Sequence, residues 1–128
     1  MSEKPARWIT YLVIDLVLIV LFAALGRREH EHGLSLAGIL ETAAPFLMAY
    51  LVMALLSRPW LSINKIWPAG VLVWIGTVAF GIALRLLFGS TAAVPFIIIA
   101  TIVLGVFLLG RRVLTKLLHK RLTQQGNA

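Results

Sequence analysis

Three ionisable residues lie where hydrocarbon should be: Asp15, Glu41 and Arg85, each inside a long apolar run. A charge in such a place is rare, because lipid cannot solvate it, so it faces protein or water and finds a partner. Two kinds of chemistry are open to them. Opposite charges can form a buried ion pair that fixes the register of greasy helices. Alternatively, a midplane acid can act as a proton or ion relay. Counting about 1.5 Å of rise per residue from assumed span ends places Glu41 about 6 Å and Arg85 about 10 Å to the outer side of the midplane. Asp15 falls about 3 Å to the other side by the same count. Glu41 and Arg85 are therefore the better-matched pair. Asp15 is closer in depth to Thr77 and Thr101, with Tyr50 somewhat below. Arg85 shares a helical face with Gly81, Thr77, Trp74 and Gly70. Together Asp15, Glu41, Arg85, Thr77, Thr101, Tyr50 and Trp74 form the candidate intramembrane polar network. On this reading Arg85→Ala should cost more stability than Arg111→Ala.

The elements that carry these residues are four apolar runs, 8–25, 34–56, 67–88 and 93–110. Each matches the roughly 20 residues a membrane helix needs. The hydrophobic fraction of 60% exceeds the 45–50% of soluble domains. The expected fold is all-α: a four-helix transmembrane bundle forming a single membrane domain over 1–128, with 111–128 a basic cytoplasmic tail or interfacial helix. Pro45 should kink the second span, since it removes a backbone hydrogen bond. The third span, with Gly70, Gly76, Gly81, Ala79 and Ala83, could pack closely on almost any face and is the expected central helix. Phe88-Gly89-Ser90-Thr91 is a hairpin that makes the third and fourth spans antiparallel neighbours.

The net charge of +7 would suggest nucleic acid in a soluble chain. Here it follows from orientation. Nine lysines and arginines (Lys4, Arg7, Arg58, Lys65, Arg111, Arg112, Lys116, Lys120 and Arg121) fall on one side of the assumed spans. Only Arg27 and Arg28 fall on the other, diluted by Glu29 and Glu31. The positive-inside rule then puts both termini in the cytoplasm. Arg111, Arg112, Lys116, Lys120 and Arg121 are a candidate surface for anionic lipid. Nucleic acid is not an expected partner.

The outer turn holds Arg27, His30 and His32. A His-x-His beside two glutamates invites a metal, but no further His or Cys on the same side completes a shell, so the expected metal is none. With no cysteine, thiolate chemistry is excluded. No nucleophile–base pair or phosphate-cradling glycine loop is visible, so an enzyme is not expected, nor a cofactor.

The combined pattern resembles a family of small bacterial membrane proteins catalogued as domain of unknown function 3054. The likeness rests on Asp15, on Gly26-Arg27-Arg28 with His30, on Thr42-Ala43-Ala44-Pro45-Phe46, and on Thr77-Val78-Ala79-x-Gly81 with Arg85. It implies a helical protein of the bacterial inner membrane and supplies no activity. A looser likeness joins Trp74-Ile75-Gly76 and an acid on the first helix to the small multidrug resistance transporters. Two functions are therefore expected to compete. One is a non-enzymatic membrane subunit or accessory factor docked on another membrane protein. The other is a small proton- or ion-coupled transporter, working as a dimer and using Asp15.

Overall fold

The computed structural model describes the backbone of residues 7–29 and 35–126, and the side chains of residues 7–26 and 35–121. Four long helices, α1 (Arg7–Glu29), α2 (Leu36–Leu56), α4 (Val71–Leu87) and α5 (Val94–Gly126), form the bundle; a single short turn, α3 (Pro59–Ser62), lies in the connection between α2 and α4. Each long helix carries a stretch apolar enough to cross a membrane, with mean hydropathy from 1.9 to 2.5. Only 22–33% of each stretch is buried within the bundle, and residues such as Leu56 (74%) and Leu87 (79%) stand outward. A shell of exposed leucine, isoleucine and valine on every helix is unsuited to water and suited to lipid.

Local chemistry sets the helix ends. Ser35 caps α2, its hydroxyl accepting from the Gly38 N–H at 3.0 Å, which satisfies one of the orphan donors of the first turn. The helix continues through Pro45, which is buried among its core residues. After Leu56 the chain reverses at Arg58, held at φ 56° and ψ 73°, a left-handed conformation uncommon for a residue with a Cβ. Pro59 then starts α3. Ser62 closes the reversal by donating to the carbonyls of Ser57 (2.5 Å) and Arg58 (3.0 Å). A wide helical turn, Ile66–Gly70, with a cis Trp67–Pro68 bond, leads into α4. Gly89, at φ 87°, makes the tight turn toward α5.

Round the bundle the order is α1, α2, α4, α5, each long helix packing on two neighbours. The closest pair is α2 with α4, because glycines on α4 receive side chains from α2. A Cβ on Gly76 would meet the Met53 side chain, and one on Gly81 would meet the Phe46 ring. On the next seam, the Trp74 ring lies over Gly105. The expectation that α4 is central is thus corrected. Four helices in a ring give each one two neighbours, and Leu72, Ile75, Ala79 and Phe80 of α4 remain exposed. The core is Ile19, Phe22, Phe46, Tyr50, Ala54, Val73, Ala100, Leu104 and Leu108.

A second difference concerns the end of the fourth span. The helix does not stop at Gly110 but runs 33 residues without interruption, about 50 Å at 1.5 Å per residue. That exceeds the roughly 30 Å of a hydrocarbon core, so α5 leaves the membrane as a helix. Gly110 has open space around its Cβ position. Glycine inside a helix costs about 0.5–1 kcal/mol relative to alanine. We therefore expect Gly110→Ala to raise the unfolding free energy by about that amount, read from denaturation in a fixed detergent.

Candidate functional site

On α1 the buried positions Asp15, Ile19, Phe22 and Ala23 follow one helical stripe, so the acid occupies an inward position. On α2 the stripe Ala43, Phe46, Tyr50, Ala54 brings Tyr50 opposite. On α5 the stripe Ala100, Leu104, Leu108 continues onto Arg111 and Arg112, which are also buried. Helical side chains lean toward the N-terminus of their own helix. For α5 that direction leads back into the bundle, and for Asp15 it leads toward the end where α5 leaves. The acid and both arginines therefore meet although they start at different depths.

The Asp15 carboxylate is fully buried and accepts four hydrogen bonds. Arg111 Nε donates to Oδ1 at 2.8 Å and Nη2 to Oδ2 at 3.1 Å, a side-on fork. Arg112 Nη1 reaches Oδ2 at 3.3 Å, and the Tyr50 hydroxyl donates to Oδ2 at 2.5 Å. Charge-assisted, bidentate contacts of this kind are the strong class of hydrogen bond. Arg111 spends its remaining N–H groups on Asn64 Oδ1, on Thr115 Oγ1 at 3.4 Å and on the Ile63 carbonyl at 2.8 Å. The Tyr11 ring lies 5.2 Å from its guanidinium carbon, within cation–π range. Arg112 also donates to the Leu108 carbonyl at 3.0 Å, while its Nε is buried without a partner among the described residues. The cluster thus clamps α1, α2, α5 and the chain just after α3 at one end of the bundle. It holds two cations against one carboxylate.

The other network candidates are distributed differently. Arg85 and Glu41 do not form an ion pair among the described residues. Arg85 Nε donates to the Thr91 carbonyl at 2.6 Å, and its guanidinium carbon lies 4.5 Å from the Phe96 ring centroid. Glu41 is exposed. Both sit near helix ends, where a long side chain finds a carbonyl, a ring or water and needs no opposite charge. They line a cavity of about 370 Å³ at the end of the bundle opposite Asp15, whose floor includes Phe22 and Phe96. The three rings of Phe22, Phe46 and Phe96 touch, with centroids 5.3 to 6.3 Å apart.

Thr77 is buried on the inner face of α4, and its hydroxyl has no hydrogen-bond partner among the described residues. Thr101 bonds back to the Ile97 carbonyl at 2.7 Å. Trp74 Nε1 donates to the Thr101 carbonyl at 2.9 Å, tying α4 to α5. Of the seven residues, only Asp15 and Tyr50 share the cluster. The Arg27 side chain, His30 and His32 lie outside the described residues.

The expectation that Arg111 and Arg112 belong to the basic tail is corrected: both are buried within the bundle, against Asp15. The available signal was the Ala100–Leu104–Leu108 stripe, which lands on them if the helix is continued past Gly110. Asn64 carried no periodic signal, since it sits in a connection shaped by the reversal at Arg58.

No curated protein and no solved structure matched the chain. The family model described as "Protein of unknown function (DUF3054)" matches residues 12–115, from the helix of Asp15 to just beyond Arg112, and the chain belongs to that family.

Proposed function

We propose that the protein is a non-enzymatic membrane subunit or accessory factor of the bacterial inner membrane, with both termini cytoplasmic. The observation that carries this reading is the engagement of Asp15 by donors from within the bundle. A carboxylate that accepts from two guanidiniums and a phenol is a structural clamp. Both of its oxygens are engaged by side chains of the bundle, Oδ2 by three donors and Oδ1 by one. The orientation draws on the positive-inside bias. With Arg111 and Arg112 internal, seven of the nine basic residues on that side remain against Arg27 and Arg28, so the bias keeps its sign.

A second reading, a small ion-coupled transporter acting as a dimer, is favoured by one separate feature. Cavities indent both ends of the bundle, with the phenylalanine layer and the Asp15 cluster between them. Transport would require the clamp to open.

Native mass spectrometry of the protein extracted gently from its own membrane separates the two. A different polypeptide retained in the complex supports the subunit reading. A homodimer alone, with pH-dependent flux in liposomes that Asp15→Asn abolishes while the variant still folds, would replace it with the transporter.

A further inference from the structure

A second cavity, about 670 Å³ in volume, opens at the Asp15 end of the bundle. That is within the range of about 300–1,000 Å³ common for small-molecule sites. Three parts of the chain wall it. The first turns of α1 supply Arg7, Trp8 and Tyr11. The connection after α2 supplies Trp60, Leu61 and Lys65, and the emerging part of α5 supplies Lys116 and His119. Among the described residues no acid lines it. The Trp8 and Trp60 rings meet edge to face at 6.1 Å, and Trp60 and Leu61 are more than half exposed. The polar floor is Asn64 and Thr115, the same two side chains that hold the Arg111 guanidinium.

We propose that this cavity binds one anionic phospholipid, with the phosphate between Lys65 and Lys116 and the acyl chains leaving past Trp60 and Leu61. Charge selects the headgroup, since Lys65 and Lys116 line the cavity beside His119 and no acid among the described residues does. The paired tryptophans fit the headgroup level, where amphipathic rings settle. An exposed apolar lip suits an acyl chain and offers nothing to a free phosphate. The enclosure by α1, the connection and α5 distinguishes this site from a diffuse basic tail. Lys120 and Arg121, on the same helix, do not line it, while Arg111 and Arg112 are spent on Asp15. A bound headgroup would lie against Asn64 and Thr115, and so would reach the clamp through Arg111.

The test is native mass spectrometry of delipidated protein titrated with phosphatidylglycerol or with phosphatidylcholine of the same acyl chains. One phosphatidylglycerol should bind in preference to phosphatidylcholine. Each cation near a headgroup contributes about fivefold, so Lys65→Gln with Lys116→Gln should weaken binding by about tenfold or more. Lys65→Arg with Lys116→Arg should retain it, as should Lys120→Gln with Arg121→Gln. Equal binding of the two lipids would overturn the proposal. So would an equal loss in the Lys120/Arg121 variant, which means diffuse attraction. Displacement of the lipid by glycerol 1-phosphate at similar concentration would assign the site to a soluble anion instead.

Discussion

Arg111→Ala should cost about 3–5 kcal/mol of stability, the usual effect of stranding one member of a buried ion pair. Arg85→Ala should cost about 1 kcal/mol, that of a single hydrogen bond. The order is the reverse of the one expected from an arginine inside an apolar run and another beyond it. Arg111 is buried, and its removal leaves Asp15 without its fork while freeing Asn64 Oδ1 and the Ile63 carbonyl from their donor. Arg85 gives up one carbonyl bond and one ring contact at a partly exposed site. Arg111→Lys should fall between the two. An ammonium keeps the charge but cannot present a planar fork to the carboxylate and still reach Asn64 and Ile63. Unfolding in one detergent across the three variants checks the series. Equal losses for Arg111→Ala and Arg85→Ala would mean that Asp15 does not depend on the fork.

The four membrane helices were legible because length and apolarity decide them with no tertiary information. Asp15 was legible as an ionisable residue at a costly depth, and Tyr50 as a polar neighbour of similar depth. Their cationic partners were not, for a geometric reason. Ending the fourth span at Gly110 turned Arg111 and Arg112 into a tail, although a helix of this sequence has nothing there to stop it. Depth matching by Cα position also neglected the lean and reach of an arginine, which carries its charge back toward the helix N-terminus. The same neglect paired Arg85 with Glu41, when Arg85 had a carbonyl and a ring within its own hairpin. The glycines of α4 announced close approach correctly but not its partners. Met53 and Phe46 of α2 fill those notches, so the close packing serves the bundle itself.

Gly70→Val should break the clamp from behind. Gly70 is where the wide helical turn hands over to α4, and a Cβ there would lie 2.6 Å from the Lys65 carbonyl oxygen and 2.8 Å from Arg112 Cδ. The first contact is with backbone, which cannot rotate away. The second is with a side chain that is 1% exposed and held at its far end by Asp15 and the Leu108 carbonyl. Overpacking of a tight site costs about 1–3 kcal/mol, and displacing Arg112 removes one of the four bonds to Asp15 as well. The valine variant should therefore lose stability at the upper end of that range or beyond. Gly70→Ala should lose less, because alanine adds only the Cβ. Coupling identifies the cause. In an Arg112→Ala background the guanidinium stem is gone, so Gly70→Ala should cost measurably less than in the parent, with an interaction of about 0.5–3 kcal/mol expected for residues in contact. An additive cycle would assign the whole cost to the Lys65 carbonyl. The turn at Gly70 would then constrain the entry to α4 without supporting the ion cluster.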